Sequence, residues 1–244
     1  MSPVPLEEIA RRRAAILEAI AQEAVRAGRS PEAVSLMAVT KGHGAETVRN
    51  AARAGLSLFG ENRVQEGAAK IAALGPEFGG LSWRLIGPLQ TNKAKSALQW
   101  FAGVESLDRE RLAVRLEGLL AEAPDGRTLP VLLEINLGGE ESKSGAAPDD
   151  ASRLCAAALA CAHLDVRGVM AVPPFDADPE KSRPHFRRLV EIRDRLAAEF
   201  GRPLPEISMG MSHDFAVAVE VRPFAGIQIA FHRQTLGENH VMPR

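Results

Sequence analysis

The amino-acid sequence predicts an α/β fold, a (β/α)8 TIM-type barrel of a single domain with one extra N-terminal helix. Short apolar runs rich in β-branched residues alternate with longer segments of helical period, which is typical of a parallel sheet built from βα units. Eight such runs can be counted, the number that closes a barrel, and 244 residues suit one barrel of about 250 residues. A doubly wound open sheet is the alternative. It usually needs fewer strands, and no G-x-G-x-x-G motif follows the first strand.

The elements follow in order from this pattern. A leading helix over residues 5–28 ends at Gly28, and we expect it to cover one end or side of the barrel. The predicted strands span residues 34–41, 56–62, 83–89, 101–107, 130–137, 165–173, 206–212 and, less clearly, 224–231. Helices with Ala, Leu and Val at helical spacing are predicted over residues 45–55, 64–75, 108–123, 149–162 and 185–201. Residues 1–244 therefore form one predicted domain, with 1–30 as the leading helix segment.

Composition narrows the classes of function. Thirty Lys and Arg against 31 Asp and Glu leave a net charge of -1, which provides no overall field to attract nucleic acid or an anionic membrane. No apolar stretch reaches the roughly 18 residues of a membrane-spanning helix, so we expect a cytoplasmic protein. Cys155 and Cys161 are interpreted as small buried hydrophobes, and the six histidines lack the spacing of zinc ligands. The even charge favours a monomer, with a dimer left open.

Lys41 ends the first predicted strand, "VSLMAVTK". In a barrel of this type the chemistry lies at the carboxyl ends of the strands. Lys41 is either a charged residue that marks the strand's exit into solvent or a nucleophile that forms a Schiff base. The second role needs a free amine, and burial at the barrel mouth would lower the lysine pKa from its usual value of about 10.4 to provide it.

Polar residues follow several other strands. Asn62 is either a helix cap or a contact to whatever Lys41 holds. The third strand runs into Gln90, Asn92, Lys93 and Lys95, which also suit a solvated loop. The fifth runs into "NLGGEESKSGAAPDD", whose composition suggests either a lid or a mobile surface loop. Met170 and Ala171, at the end of the sixth, could form an apolar wall for a flat ligand or belong to the core.

The segment "EISMGMSHDFAVAVE" carries a strand through Gly210 and Ser212 into an apolar helix. Glycine permits close backbone approach, Ser212 could cap the helix, and exposed N–H groups at a helix start favour a phosphate. Beside a lysine at the end of a strand, this arrangement suggests a phosphorylated aldehyde, with pyridoxal 5'-phosphate as the cofactor.

These residues also resemble a known family. The stretches "AVTKGHGAE", "FGENRVQEGAAKI", "WRLIGPLQTNKAK", "EINLGGEESKSG", "RGVMAVPP" and "ISMGMSHDFAVAVE" are similar to the signatures of the pyridoxal-phosphate homeostasis proteins. The resemblance implies a barrel like the N-terminal domain of alanine racemase, with the cofactor on Lys41. It also implies that Asn62 and the segment Ser208, Met209, Gly210, Met211 and Ser212 lie close to the cofactor. Such proteins bind, buffer and hand over the vitamin, which makes PLP-dependent apoenzymes the expected recipients.

The resemblance ends after Glu220. The family usually continues into a last strand with an Arg and a Gly-Thr pair that help to hold the cofactor, whereas this chain has Gln228 or its neighbours there and no Gly-Thr pair. Residues 221–244 are therefore an atypical C-terminal segment, and we expect weaker retention of the cofactor.

Two alternative functions share Lys41. A PLP-dependent amino-acid racemase would need a second base, which in alanine racemase is a tyrosine; this chain contains no tyrosine, so His43 or His213 would have to replace it. A cofactor-free Schiff-base aldolase would need a nearby acid or base such as Glu61.

Overall fold

The computed structural model describes residues 2–139, 144–221 and 227–231 of the protein. Eight parallel strands form a closed barrel in the order β1 to β8, which confirms the predicted fold class. The strands are β1 Val34–Val39, β2 Leu58–Glu61, β3 Ser82–Leu85, β4 Gly103–Leu107, β5 Leu129–Glu134, β6 Leu164–Met170, β7 Glu206–Met211 and β8 Ile227–Phe231. The helices are α1 Leu6–Arg26, α2 Ala45–Arg53, α3 Val64–Leu74, α4 Ala94–Trp100, α5 Glu110–Ala121, α6 Ala151–Leu159, α7 Arg183–Glu199 and α8 Phe215–Glu220.

The last strand closes the barrel in spite of its unusual sequence. β8 pairs in parallel with β1, with Val34 opposite Ile227, and with β7, with Ile207 opposite Ile227. Ile229 is fully buried between these neighbours. The atypical C-terminal segment predicted from residue 221 therefore still supplies the eighth strand. Residues 222–226 and 232–244, and the side chain of Gln228, lie outside the described residues.

The leading helix α1 lies on the side of the barrel. Ile9, Ile16, Ile20 and Ala24 are buried, and they recur at helical spacing, so one apolar stripe faces inward. The helix packs against α8 and α2, the helices at the two ends of the described α/β repeat. Among the helices of the described residues, none is both long and apolar enough to cross a membrane.

The boundaries of some elements differ from the prediction. β1 ends at Val39, so Lys41 lies two residues beyond the strand and not at its last position. The seven-residue helix α4 was not predicted, because "AKSALQW" is too short to establish an apolar period. Cys155 and Cys161 are free and buried, as expected of small hydrophobes, and burial raises the pKa of the Cys155 thiol to about 11.

Candidate functional site

A cavity of about 700 Å³ opens at the carboxyl ends of the strands. This volume lies within the range typical of small-molecule sites, about 300–1,000 Å³. The residues that the sequence predicted to hold the cofactor all line this cavity: Lys41, Asn62, Met170, Ser208, Gly210, Met211 and Ser212. The structure therefore brings together residues from four separate βα units.

Lys41 lies in a tight turn between β1 and α2. The turn is fixed at both ends, because the Thr40 N–H donates to the Gly60 carbonyl at 3.0 Å and the His43 N–H donates to the Thr40 carbonyl at 3.0 Å. Lys41 lines the cavity but is an exposed residue. The expectation that the protein chain itself buries this lysine is wrong, because the turn carries it past the end of the strand to the cavity mouth.

A buried ionic network supports this turn from below. Lys70 Nζ, on α3, donates to the Thr40 carbonyl at 2.5 Å, to Glu61 Oε1 at 2.6 Å and to Glu66 Oε1 at 2.8 Å. Glu61 Oε1 also accepts from the Thr40 hydroxyl, and Glu66 Oε1 accepts from the Gly42 N–H at 2.8 Å. The Lys70 ammonium group thus holds Thr40 directly and Gly42 through Glu66, the two residues on either side of Lys41.

Glu61 is the carboxylate of the network that has no exposed surface. Burial raises its pKa, while hydrogen bonds from Lys70 and Thr40 oppose the rise. Burial alone would also raise the pKa of Glu66, but its hydrogen bonds from Lys70 and Gly42 outweigh that effect and lower it. Glu61 does not line the cavity, so its predicted role as an acid or base acting on a ligand at Lys41 is wrong.

Asn62 follows β2 and reaches the cavity half-buried. The helix-cap interpretation of Asn62 is wrong, because Arg63 occupies the N-cap position of α3. The backbone of Asn62 is held close to β3, since a Cβ atom added to Gly87 would lie 2.3 Å from the Asn62 carbonyl oxygen. The absence of a side chain at Gly87 thus allows the ends of β2 and β3 to meet.

The turn after β7 is built around a buried carboxylate. Asp214 has no exposed surface, and its two oxygens accept from the Met211 N–H at 2.6 Å and from the Ser182 hydroxyl at 2.8 Å. Gly210 has φ +90°, and a Cβ atom there would lie 2.8 Å from the Cβ of Ala218, so only glycine suits this position.

The predicted role of Ser212 as a helix cap is wrong. Asp214 is the N-cap residue, and α8 begins at Phe215 with only six residues. A helix this short offers little dipole, so any anion held here depends on the hydroxyl and N–H groups of the turn.

The remaining walls are apolar near β6 and acidic near β4 and β5. Met170 and Ala171 are buried and line the cavity, as predicted for an apolar wall, and the exposed Phe175 stands at the rim against His213, with ring centroids 4.9 Å apart. Glu105 on β4 and Glu134 on β5 line the wall next to β6.

Sequence reasoning missed both acids, although a lone glutamate inside the apolar runs "GVESL" and "LPVLLE" was a usable signal. Glu134 Oε1 accepts from the Ser144 hydroxyl at 2.7 Å. Burial raises the Glu134 pKa to about 7, and the charge of Asp108 adds to the rise.

Other predicted candidates lie elsewhere. Gln90 and Lys93 line a second cavity of about 380 Å³, which Asn62 and Pro88 separate from the first, while Asn92 and Lys95 line neither. Residues 140–143 of the predicted lid lie outside the described residues, so the lid remains a prediction.

Comparison with known proteins places these features in a family. The profile of the alanine racemase N-terminal domain family matches residues 15–225. The pyridoxal phosphate homeostasis protein of Aquifex aeolicus is 40% identical over 205 residues, which cover 84% of this chain and 88% of that protein. The protein of the same name from Escherichia coli K12 is 37% identical, with 88% of this chain and 91% of that protein covered.

A solved structure agrees with these relatives. PipY of Synechococcus elongatus, solved with PLP bound, is 31% identical, superposes with a TM-score of 0.80, and is matched over 94% of this chain and 100% of its own. By fold, by profile and by identity across most of its length, the chain belongs to the pyridoxal phosphate homeostasis protein family, within the alanine racemase N-terminal domain family.

Proposed function

We propose that this protein binds pyridoxal 5'-phosphate in the 700 Å³ cavity, through a Schiff base to Lys41, and carries or buffers the cofactor without turning over a substrate. The observation that carries the proposal is the meeting of one lysine, one glycine turn flanked by serines and one apolar wall around a single cavity. Relatives named as pyridoxal phosphate homeostasis proteins, and a PLP-bound neighbour of 31% identity, support it.

The residues present fit such a cofactor. Lys41 is exposed and lines the cavity, which suits attack of its amine on an aldehyde that enters there. Ser208, Ser212 and the backbone around Gly210 provide hydroxyl and N–H donors for a phosphate, and positive φ at Gly210 lets the backbone approach it. Met170 and Ala171 offer an apolar surface to the ring, and Asn62 offers a polar contact beside it.

Covalent loading on Lys41 is the decisive experiment. The protein mixed with PLP should develop the visible absorbance of a Schiff base, and borohydride should convert it to a stable adduct that peptide mass spectrometry places on Lys41. Lys41→Ala should lose the band and the adduct, while the matched control Lys95→Ala, at an exposed lysine that lines neither cavity, should keep both. An adduct on another lysine in the unmodified protein would refute the proposal.

A proton-exchange experiment distinguishes the racemase alternative from the carrier function. The chain has no tyrosine, and among the described residues the cavity presents His213, Glu105 and Glu134 as the groups able to take up a proton. His43 does not line the cavity. We expect the loaded protein to incorporate no deuterium at the α-carbon of L-alanine in heavy water; steady incorporation would favour the racemase. The aldolase alternative loses its predicted acid or base, because Glu61 is fully buried in the Lys70 network.

The wider predictions stay part of this proposal: one domain over residues 1–244, a monomer with a dimer left open, a cytoplasmic location, and transfer of the cofactor to PLP-dependent apoenzymes. Transfer is tested by mixing the PLP-loaded protein with a PLP-dependent apoenzyme and measuring how fast the activity of that enzyme recovers. A rate no faster than that from an equal concentration of free PLP would contradict delivery.

A further inference from the structure

Glu134 is a buried acid that the proposed function does not use. Its residue is 8% exposed, it lines the cavity, and Oε1 is already occupied by the Ser144 hydroxyl at 2.7 Å. Within the described part of the chain, Oε2 is buried and accepts no hydrogen bond. A buried carboxylate oxygen in this state is costly, and a donor that enters from the cavity would relieve the cost.

The position of Glu134 in the barrel sets what can reach it. In a closed barrel of eight strands, β5 is the fourth neighbour of β1, so Glu134 stands across the cavity from the turn that carries Lys41. Met170 is its register partner on β6, and Glu105 lines the cavity from β4 on its other side. A group attached at Lys41 would therefore leave this wall available to a second small molecule.

The charge around Glu134 selects a cation. Glu105 is 2% exposed, and Asp108 is close enough for its charge to raise the Glu134 pKa. Arg109, the neighbour of Asp108 in the chain, is engaged with Asp108 at 2.5 Å and with the Leu89 carbonyl at 2.9 Å. Apart from Lys41, no lysine or arginine of the described ranges lines the cavity. An ammonium group brings both the missing charge and the missing N–H donors.

We propose that the β4–β5 wall of the cavity is a binding subsite for the ammonium group of a small amine or amino acid, held by Glu134 Oε2 opposite Lys41. This subsite goes beyond the proposed carrier function and does not depend on it, because the wall is formed without any group on Lys41. It gives the cavity two chemically distinct halves, with the donors of the β7 turn on one side and carboxylates on the other.

The test follows the methyl signals of the methionines that line the cavity, Met37, Met170, Met209 and Met211, in protein labelled at the methionine methyl carbons. The probe is n-propylammonium, added above the Glu134 pKa of about 7. We expect a saturable shift that is largest for Met170. Tetramethylammonium, which has charge but no N–H donor, and n-propanol, which has no charge, should bind more weakly.

Variants locate the binding group. Glu134→Gln keeps the bond from Ser144 and should weaken n-propylammonium binding about tenfold to a hundredfold. Glu122→Gln, at an exposed glutamate after α5, is the matched control and should bind as the wild type does. If Glu134→Gln fails to fold, Glu134→Asp, which draws the carboxylate back by one methylene, should still fold and bind more weakly.

The outcome separates this proposal from the carrier function. Lys41→Ala should lose PLP binding and keep n-propylammonium binding, while Glu134→Gln should keep the PLP adduct on Lys41 and bind n-propylammonium more weakly. Equal affinity of the wild type and Glu134→Gln for n-propylammonium would overturn the subsite, as would equal shifts from n-propanol.

Discussion

At the scale of the residue, Glu134 shows how position determines the chemistry of an ordinary side chain. It ends a strand of apolar residues, so its carboxyl leaves water on folding, and burial raises its pKa from 4.5 to about 7. The Ser144 hydroxyl lowers the pKa only in part, because it satisfies one of the two oxygens. Between pH 4.5 and about pH 7 the folded protein therefore holds a proton on Glu134 that the unfolded chain has released.

This difference predicts a pH dependence of stability. Between the unfolded pKa near 4.5 and the folded pKa of about 7 the folded state binds more protons, so the contribution of Glu134 is fully present below the lower value and is lost as pH rises through the upper one. Relative to Glu134→Gln, the wild type should lose about 1–3 kcal/mol of unfolding free energy across this window. Urea unfolding at a series of pH values measures it.

Glu122→Gln serves as the control for this series, because its exposed side chain should leave the wild-type curve unchanged. Parallel stability curves for the wild type and Glu134→Gln would show that the two forms of the carboxyl are held equally well, which contradicts the prediction.

At the scale of the element, the network around Lys70 joins the turn after β1, the end of β2 and the first turns of α3. Glu66 and Lys70 lie four residues apart on α3, Glu61 ends β2, and Thr40 directly follows β1. Hydrogen bonds at 2.5–2.8 Å link Lys70 to all three partners. A buried pair of this kind adds little net stability over an apolar pair, but the loss of one partner is costly because the other charge stays buried.

Lys70→Met should therefore destabilise the protein by about 3–5 kcal/mol, because Glu61 is left without its cation. It should also weaken PLP loading on Lys41, since the Thr40 and Gly42 contacts that hold the turn depend on Lys70 and Glu66. Chemical unfolding and PLP titration measure the two effects.

The exposed Lys95→Met is the control for the lost lysine, and Lys70→Met combined with Glu61→Leu should recover part of the stability, because no unpaired charge then remains buried. If Lys70→Met were as stable as the wild type, the network would not contribute to the stability of the fold, which contradicts the prediction.

At the scale of the whole molecule, closure of the barrel places all the βα turns around one cavity. Two of these turns are held by buried side chains, the turn after β1 by Lys70 and the turn after β7 by Asp214, so these parts of the cavity wall are formed before a ligand enters. A ligand that contacts several turns at once should stabilise the entire fold, because unfolding would have to release it.

PLP should thus raise the midpoint of thermal unfolding. At about one hundred times its dissociation constant, a ligand that binds only the folded state adds about 2.7 kcal/mol. Pyridoxal, which lacks the phosphate, should stabilise less because the β7 turn gains no partner. Differential scanning calorimetry tests this, with Lys41→Ala expected to lose most of the gain; equal stabilisation by PLP and pyridoxal would argue against a phosphate role for Ser208 to Ser212.

The local sequence pattern was sufficient to predict much of the fold and part of the candidate site. Alternating strand and helix periods identified eight strands and most helices, because those periods reflect which side chains each element buries. The rule that barrel chemistry lies at the carboxyl ends of strands then selected Lys41, Asn62 and the segment around Gly210, and these residues do line one cavity.

By itself the sequence determined the barrel, its strand order and the positions where polar residues leave the strands. Only the tertiary structure decided which of these residues share a surface. It buried Glu61 against Lys70, left Lys41 exposed and turned Glu134 into the cavity. These outcomes rest on contacts between residues far apart in the chain, and burial and charge at such contacts leave no trace in local periodicity.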